Sequence, residues 1–172
     1  MMIFFTADEH YMHRNIIKYC NRPFSSVKEM DEILIQNHNN VVKYNSDLVI
    51  HAGDFTLAST FEAEKIIKRL NGNHIFLMGS HDKWLRNKKH HYIMERIIDS
   101  KYVVICHYAM RTWSRSHYNS WQLYGHSHGN LEPLGKQWDI GVDNNNFYPL
   151  SFDQIVEIMK NRPDNFNLVN KK

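Results

Sequence analysis

The feature that most constrains this chain is a recurrence: one apolar run after another stops at a histidine or a carboxylate. Ile3–Ala7 leads into Asp8-Glu9-His10, and Leu48–Ala52 into Gly53-Asp54. His74–Met78 leads into Gly79-Ser80-His81-Asp82, Tyr102–Cys106 into His107, and Trp121–Tyr124 into Gly125-His126-Ser127-His128. Short apolar runs bounded by turn residues are how buried strands read. Open α/β sheets bind ligands beyond the carboxyl ends of their strands. Five strand ends would thus carry imidazoles and carboxylates toward one edge.

The segments between these runs read mostly as helices. Ser26-Val27-Lys28-Glu29 has capping-box form, and Val27, Met30, Leu34 and Val41 predict a helix over 27–42. Ser59-Thr60-Phe61-Glu62 opens another, with Ala63, Ile66, Ile67 and Leu70 on one stripe and Gly72 as its stop. A short helix is expected within 13–19, a further one at Ile93, Met94, Ile97 and Ile98, and a last one near 152–160 behind Ser151. Residues 109–120 read as a long loop. Strands alternating with helices predict an α/β layered fold with a largely parallel first sheet. The length predicts a single domain over residues 1–172, with a tail from Asn161 to Lys172 of loop-like composition that does not return to the core.

Hydrophobic residues at 42% and charged residues at 23% are ordinary for a globular chain and argue against disorder. The formal charge of +3 is too small to argue for nucleic-acid binding, though it suits a site that attracts anions. Cys20 and Cys106 lie far apart with no CxxC pair, which excludes a disulfide framework and points to a reducing cytoplasm. The apolar run near the N-terminus is too short for a signal peptide or a membrane span, so no membrane role is expected.

Singly, each of these pieces has an ordinary explanation: Gly-Asp after a strand is often a turn, and a lone histidine is often structural. Jointly, Asp8, His10, Asp54, His81, Asp82, His107, His126 and His128 would need five coincidences. Carboxylates mixed with neutral imidazoles suit Zn²⁺, Mn²⁺, Fe or Ni. The set is too rich for one ion, so two divalent metals are expected, with Asp54 able to bridge them. Paired ions roughly 3.5–4 Å apart clamp the two oxygens of a phosphoryl displacement.

In order and spacing the five blocks resemble those of the calcineurin-like metallophosphoesterases, across residues 8–128. The compact size and the run His13-Arg14-Asn15-Ile16-Ile17 to Asn21-Arg22-Pro23-Phe24 resemble small bacterial and phage members. The resemblance implies a four-layer α/β/β/α sandwich. It implies Asp8, His10 and His128 around a first metal, Asp54 as bridge, and His107 and His126 around a second. It departs at Ser80, where the family has an asparagine that completes the second set. A serine hydroxyl is shorter and a poorer ligand than an amide carbonyl. Asn73, at the far end of its strand, is not expected to replace it.

The implied activity is phosphoester hydrolysis by metal-activated hydroxide, with His81 protonating the leaving oxygen and Asp82 orienting His81. The alternative reading of Asp82 is an N-cap for the segment after it. Arg14, Asn15, Arg22 and Arg111 are candidates to hold a phosphate, each also readable as a solvated surface residue. Trp113, Tyr118 and Trp121 are candidates to stack on a base, Trp121 also reading as core, and His117 is a candidate pocket residue. A small or nucleotide-like phosphodiester is the leading substrate expectation. The alternatives are a phosphomonoesterase, a nuclease, or a phosphate- or nucleotide-binding module whose catalysis Ser80 weakens. Nucleic acid is not the favoured partner.

Overall fold

A computed structural model describes residues 1–169. Two four-stranded sheets face each other across a shared core. The first has the order β3-β2-β1-β8, from Ile3–Thr6 (β1), Leu48–His51 (β2), Asn73–Phe76 (β3) and Leu150–Ser151 (β8). The second has the order β4-β5-β6-β7, from Ile93–Ile98 (β4), Lys101–Cys106 (β5), Trp121–Tyr124 (β6) and Gln137–Asp139 (β7). Strands β1, β2 and β3 are mutually parallel, and β8 joins β1 antiparallel. In the second sheet β5, β6 and β7 are parallel. All the strands that carry a chemical block therefore end at one edge of the sandwich.

The core follows from period-2 alternation. Phe5, Ala7, Ile50 and Leu77 of the first sheet meet Val103, Ile105, Trp121 and Leu123 of the second. The alternate residues of the first sheet face α2 (Val27–Val41) and α3 (Thr60–Ile67), with Phe4 and Val49 against Val42. Met30, Leu34, Ala63 and Ile66 form a second cluster with Phe55 and Trp84. A short α1 (Ile16–Tyr19) and a C-terminal α4 (Phe152–Lys160) complete the helices. The α/β sandwich with flanking helices agrees with the sequence-based expectation. The outer face of the second sheet is covered by the 108–120 loop, whose Tyr108 and Met110 bond the Gln122 side chain.

The caps behave as their sequences suggest. Ser26, Ser59 and Ser151 each accept the amide of the residue three positions on. Only Ser151 and Gln154 close a full reciprocal box, while Glu29 bonds Ser25 instead of Ser26. Each such cap is worth about 1 kcal/mol.

Two expectations need correction. The stripe at Ile93, Met94, Ile97 and Ile98 is strand β4, paired antiparallel with β5 from Ile93 opposite Cys106 to Ile98 opposite Lys101. Met94 and Ile98 turn inward while Ile93 and Ile97 stay exposed. The turn between the strands is Asp99-Ser100, both with positive φ, at 44° and 64°. That is the tight hairpin turn whose backbone suits strand twist, and it outweighs a helical reading of a short apolar run. The tail also returns to the body. Asn165 is buried and donates to the Ser116 and Ser120 carbonyls at 2.9 Å each. The last three tail residues lie outside the described residues. Among the described residues, no helix is long and apolar enough to cross a membrane.

Between the first sheet and α2 lie three histidines, His38, His51 and His74. His51 Nδ1 is 2.6 Å from Glu9, and its Nε2 is 3.0 Å from His74 Nδ1. His38 Nε2 is 2.8 Å from the Asn71 carbonyl. Burial pushes His38 down to about 4 from its ordinary value near 6.5. A depressed histidine stabilises the fold fully above its unfolded pKa, and that contribution is lost as pH falls from about 6.5 toward 4. The slope is about 1.4 kcal/mol per pH unit. Denaturant unfolding at pH 6.5 and pH 5 should therefore show a drop in stability that is smaller, by about 2 kcal/mol, in His38→Gln than in the parent chain. Equal drops would show that His38 is not held neutral in the fold.

Candidate metal centre

Each block reaches the common edge through a sharp backbone turn. Asp8, His10, Asp54, His126 and His128 all have positive φ, between 49° and 68°. Non-glycine residues in this region are uncommon, cost about 1 kcal/mol or more each, and concentrate at functional sites. Asp8 and His10 thus meet by turning, although an extended backbone would also have put them on one side. The turns are tied together: Asp8 N donates to the Gly53 carbonyl and His10 N to the Asp54 carbonyl, both at 3.0 Å. Gly79 is needed because a Cβ there would lie 2.2 Å from the Asp54 amide and carboxylate.

The ligating atoms of the blocks form two groups, and a third, Cys20 with His128 and Asp143, lies beside them. Asp8, His10 and His128 bring theirs within 4.8 Å of one another, as do Asp54, His107 and His126. Asp54 Oδ2 lies between the groups, 3.6 Å from His10 Nε2 and 3.3 Å from His107 Nε2. Ser80 reaches the same carboxylate, with its hydroxyl 3.0 Å from Oδ2. His81 stands at the rim with a side chain 43% exposed and its Nε2 3.9 Å from Asp54 Oδ2. The cleft above these atoms is also lined by Ile16, Tyr19, Cys20 and Asn130.

The electrostatics favour a cation. Asp8 Oδ1, His10 Nε2 and His107 Nε2 are buried without a hydrogen-bond partner. His107 Nδ1 lies 3.0 Å from the Ala52 carbonyl, so it carries the proton and leaves an Nε2 lone pair facing Asp54. A lone pair and a carboxylate at 3.3 Å repel unless a proton or metal ion lies between them. Burial, helped by Asp139 and Asp54, pushes the Asp8 carboxyl well above its ordinary range. Burial also pushes Asp54 up, but with a proton on His107 Nε2 the hydrogen bond and charge of that imidazolium outweigh it and hold Asp54 well below the usual carboxylate range, the same shift that a metal ion in that gap would produce. Burial lowers His10, His13 and His126 and keeps them as neutral donors. Buried carboxylates beside neutral imidazole lone pairs fit divalent metal.

Several expected residues lie elsewhere. Asp82 does not orient His81. Its buried carboxylate accepts the amides of Asp54, Phe55, Thr56 and Gly79 and the indole N–H of Trp84, at 2.6 to 3.2 Å. Nor does its side chain cap the turn that follows. It holds the loop that carries Asp54. Arg22 is not a substrate residue, because it is 4% exposed and its guanidinium is fully committed. It grips Asp143 with two nitrogens, at 2.8 and 2.7 Å, and donates to the Asp8 and Glu9 carbonyls. Arg14 and Asn15 are exposed at the start of α1, on the outside of the cleft lining. Arg111 packs over Phe166, 4.8 Å from the ring centroid, and does not line the cleft. Trp113 is buried with its indole on the Ser120 carbonyl, Trp121 is core, and the Tyr118 and His117 rings lie against each other at a tilt, away from the cleft.

Sequence reading missed three contributors. His13 brings Nδ1 to 3.3 Å from His10 Nδ1. Asp143, in the turn after β7, lies 2.7 Å from His128 Nδ1. Asp139 receives the Ser127 hydroxyl and the Gly129 and Gly141 amides. The alternating Trp138-Asp139-Ile140-Gly141-Val142 segment reads as a strand, but nothing local ties Asp143 to a histidine fifteen residues earlier.

No known family model matches the chain. A protein of Methanocaldococcus jannaschii, the uncharacterized protein MJ1445, is 32% identical, with 92% of this chain and 91% of the archaeal protein aligned. A crystal structure of the protein of unknown function AQ665 from Aquifex aeolicus superposes with a TM-score of 0.74 at 25% identity, covering 91% of this chain and 98% of that one. A more distant match is Yfce, a phosphoesterase from E. coli, with a TM-score of 0.45 and 16% identity over 82% of this chain and 76% of that one. The ordered blocks, gathered by two sheets at one edge, define an α/β sandwich that carries candidate metal-binding groups. Within that class the chain belongs to the same family as the M. jannaschii protein.

Asp143 fixes the tautomer of His128 by accepting its Nδ1 proton, which leaves Nε2 for Asp8 and His10 to share a cation with. Removing such a partner costs about 10–100-fold in metal affinity. Asp143→Asn should weaken Mn²⁺ or Zn²⁺ binding by about that factor in a competition with a chelating dye. An unchanged affinity would show that His128 is oriented by other contacts.

Proposed function

We propose that the protein is a metal-dependent phosphoesterase whose preferred substrate is a small or nucleotide-like phosphodiester. The observation that carries this reading is the convergence of three unpartnered buried ligand atoms, Asp8 Oδ1, His10 Nε2 and His107 Nε2, around the Asp54 carboxylate. Asp8, His10 and His128 would hold one divalent ion, Asp54, His107 and His126 a second, with Asp54 shared and Ser80 beside it. Such ions, when bound, polarise phosphoryl oxygens and lower the pKa of water.

The chain's own residues supply the rest. His81 is the only imidazole of the cleft that stands at the rim without being part of either group apart from His13, and its Nε2 faces the space above Asp54. It is placed to give a proton to the leaving oxygen or to stabilise charge on the phosphate. Asp54 is held by the His81 amide at 2.8 Å and by the Ser80 hydroxyl, so the proton donor and the shared carboxylate move as one unit. Buried Ile16 and the half-buried Cys20 form a less polar wall on the α1 side, with the exposed Tyr19 ring beyond them.

Diester preference is supported by what lines the cleft among the described residues: histidines, one carboxylate and neutral groups, with no lysine or arginine. A phosphomonoester is a dianion near neutral pH and is best bound where a guanidinium fork offers charge and geometry together. A diester carries one negative charge and needs less. The metal-loaded protein should hydrolyse bis-p-nitrophenyl phosphate with a higher kcat/KM than p-nitrophenyl phosphate. A preference of ten-fold or more for the monoester would sink the diester reading while leaving the phosphoesterase reading intact.

His81→Ala should lower kcat by about 10²–10⁴-fold with metal content nearly unchanged. Loss of both metals in that variant would instead make His81 a ligand. Ser80→Asn, assayed beside it, tests whether a carbonyl oxygen next to Asp54 raises metal affinity and turnover. Inactivity of both the parent and Ser80→Asn with metal bound, on every phosphoester tried, would leave a binding module as the better description.

A further inference from the structure

The far end of the second sheet holds a second concavity with different chemistry. Strands β5 and β6 run parallel, and His107 and His126 follow their last residues. Lys101 and Trp121 are their first residues, so what lies around them is separated from the metal centre by the length of a six-residue strand, about 20 Å. There α4, the start of β5 and the turn around Ser116–Tyr118 enclose a cavity of about 580 Å³. That volume is within the range of small-molecule sites.

Its lining combines cations and aromatic rings, with no carboxylate among the lining residues. Lys136 is committed to structure, because its ammonium bonds the Met159 and Arg162 carbonyls at 2.8 and 2.7 Å. Lys160 shares its charge with Glu157 at 2.5 Å. Lys101 and Arg115 remain: both are exposed, and neither has an ion-pair partner among the described residues. Each is held over a ring instead. Lys101 Nζ is 5.8 Å from the Trp121 centroid and Arg115 Cζ 4.5 Å from the Tyr102 centroid.

The turn that presents Arg115 is rigid. Arg115 and Asn119 both take left-handed backbone, with φ of 59° and 65°, and bracket the turn. The Arg115 carbonyl accepts the Tyr118 and Ser120 amides, and the Asn119 side chain accepts the Asn165 amide from the tail. Tyr118, carried on this turn, is 66% exposed. A large ring left in water beside two unpaired cations is poorly explained by packing, since it adds nothing to the core. Both features are what a ligand with a phosphate and a flat base requires.

We propose that this cavity binds a mononucleotide, with the phosphate between Lys101 and Arg115 and the base against Tyr118. Trp121 and Met159 close the inner wall. The site is independent of the metal centre, and the proposal does not rest on the phosphoesterase reading. A nucleoside 5′-monophosphate fits better than a polynucleotide, because the unpaired cations are two and lie in one enclosed place. A strand would need a track of them.

The test is calorimetric titration of the metal-loaded full chain with AMP, repeated with chelator present, and with inorganic phosphate as the second probe. Saturable AMP binding that survives chelation is expected, weakened at least ten-fold in Lys101→Gln/Arg115→Gln. Tyr118→Ala should weaken AMP several-fold and leave phosphate unchanged. Lys101, Arg115 and Tyr118 are exposed, and an unchanged thermal midpoint confirms that each variant folds. AMP binding that vanishes with chelator would assign the nucleotide to the metal centre and overturn the proposal. So would equal affinity in the double variant, or no saturation by millimolar AMP. Salt-sensitive binding of a single-stranded oligonucleotide without AMP binding would overturn it in favour of a polynucleotide.

Discussion

The structure depends on a repulsion that the protein cannot relieve with its own atoms. Asp8 and Asp54 are buried within a few ångströms of His10, His107 and His128, and His107 turns an Nε2 lone pair toward Asp54. Such a cluster is unfavourable in a low-dielectric edge unless positive charge enters it. Among the described residues, no lysine or arginine lines the cleft to do this. The nearest guanidinium, that of Arg22, faces Asp143 and the carbonyls of Asp8 and Glu9. The arrangement is therefore a strained receptor whose electrostatic deficit matches divalent metal.

Holding that deficit in place accounts for much of what is unusual nearby. Five left-handed residues would relax if their loops were free, so each loop is pinned from behind. Asp82 gathers four backbone amides and an indole to hold the Asp54 turn. Arg22 ties the Asp8 turn to Asp143, and Asp143 in turn faces His128 on the second sheet. Neither residue touches the cleft. Both are buried groups whose hydrogen bonds go to the protein itself, and removing one partner of a buried pair such as Arg22–Asp143 typically costs 3–5 kcal/mol.

This explains which parts of the chain were legible in advance. A strand end that presents His or Asp can be read because strand, turn and ligand are contiguous, and all seven candidate His and Asp ligands and rim residues of the five blocks reach the expected edge. The roles of Arg22 and Asp82 were misread because a charged residue near a site looks the same in sequence whether it faces the substrate or the backbone. The difference lies in burial, and burial is set by partners such as Asp143, 121 residues away from Arg22. Strand β4 was misread for another reason. Apolar residues at 93, 94, 97 and 98 satisfy both periods, and the decision rests with the Asp99-Ser100 turn and with β5 beside it.

The two ligand groups are not equivalent, and the inequality follows from their backing. In the first, Asp8 is clamped by the His126 amide at 2.7 Å and His128 is oriented by a carboxylate that is itself held by a buried arginine. In the second, His126 is exposed, and the neighbouring side chain is a serine whose hydroxyl donates to Asp54. An amide carbonyl at that position would add a lone pair, whereas the hydroxyl removes some of the charge already there. The second group is thus backed by less rigid contacts than the first. Ser80 departs from the resembling pattern at a position where its hydroxyl links Asp54 to the loop that carries His81 instead of offering a carbonyl lone pair.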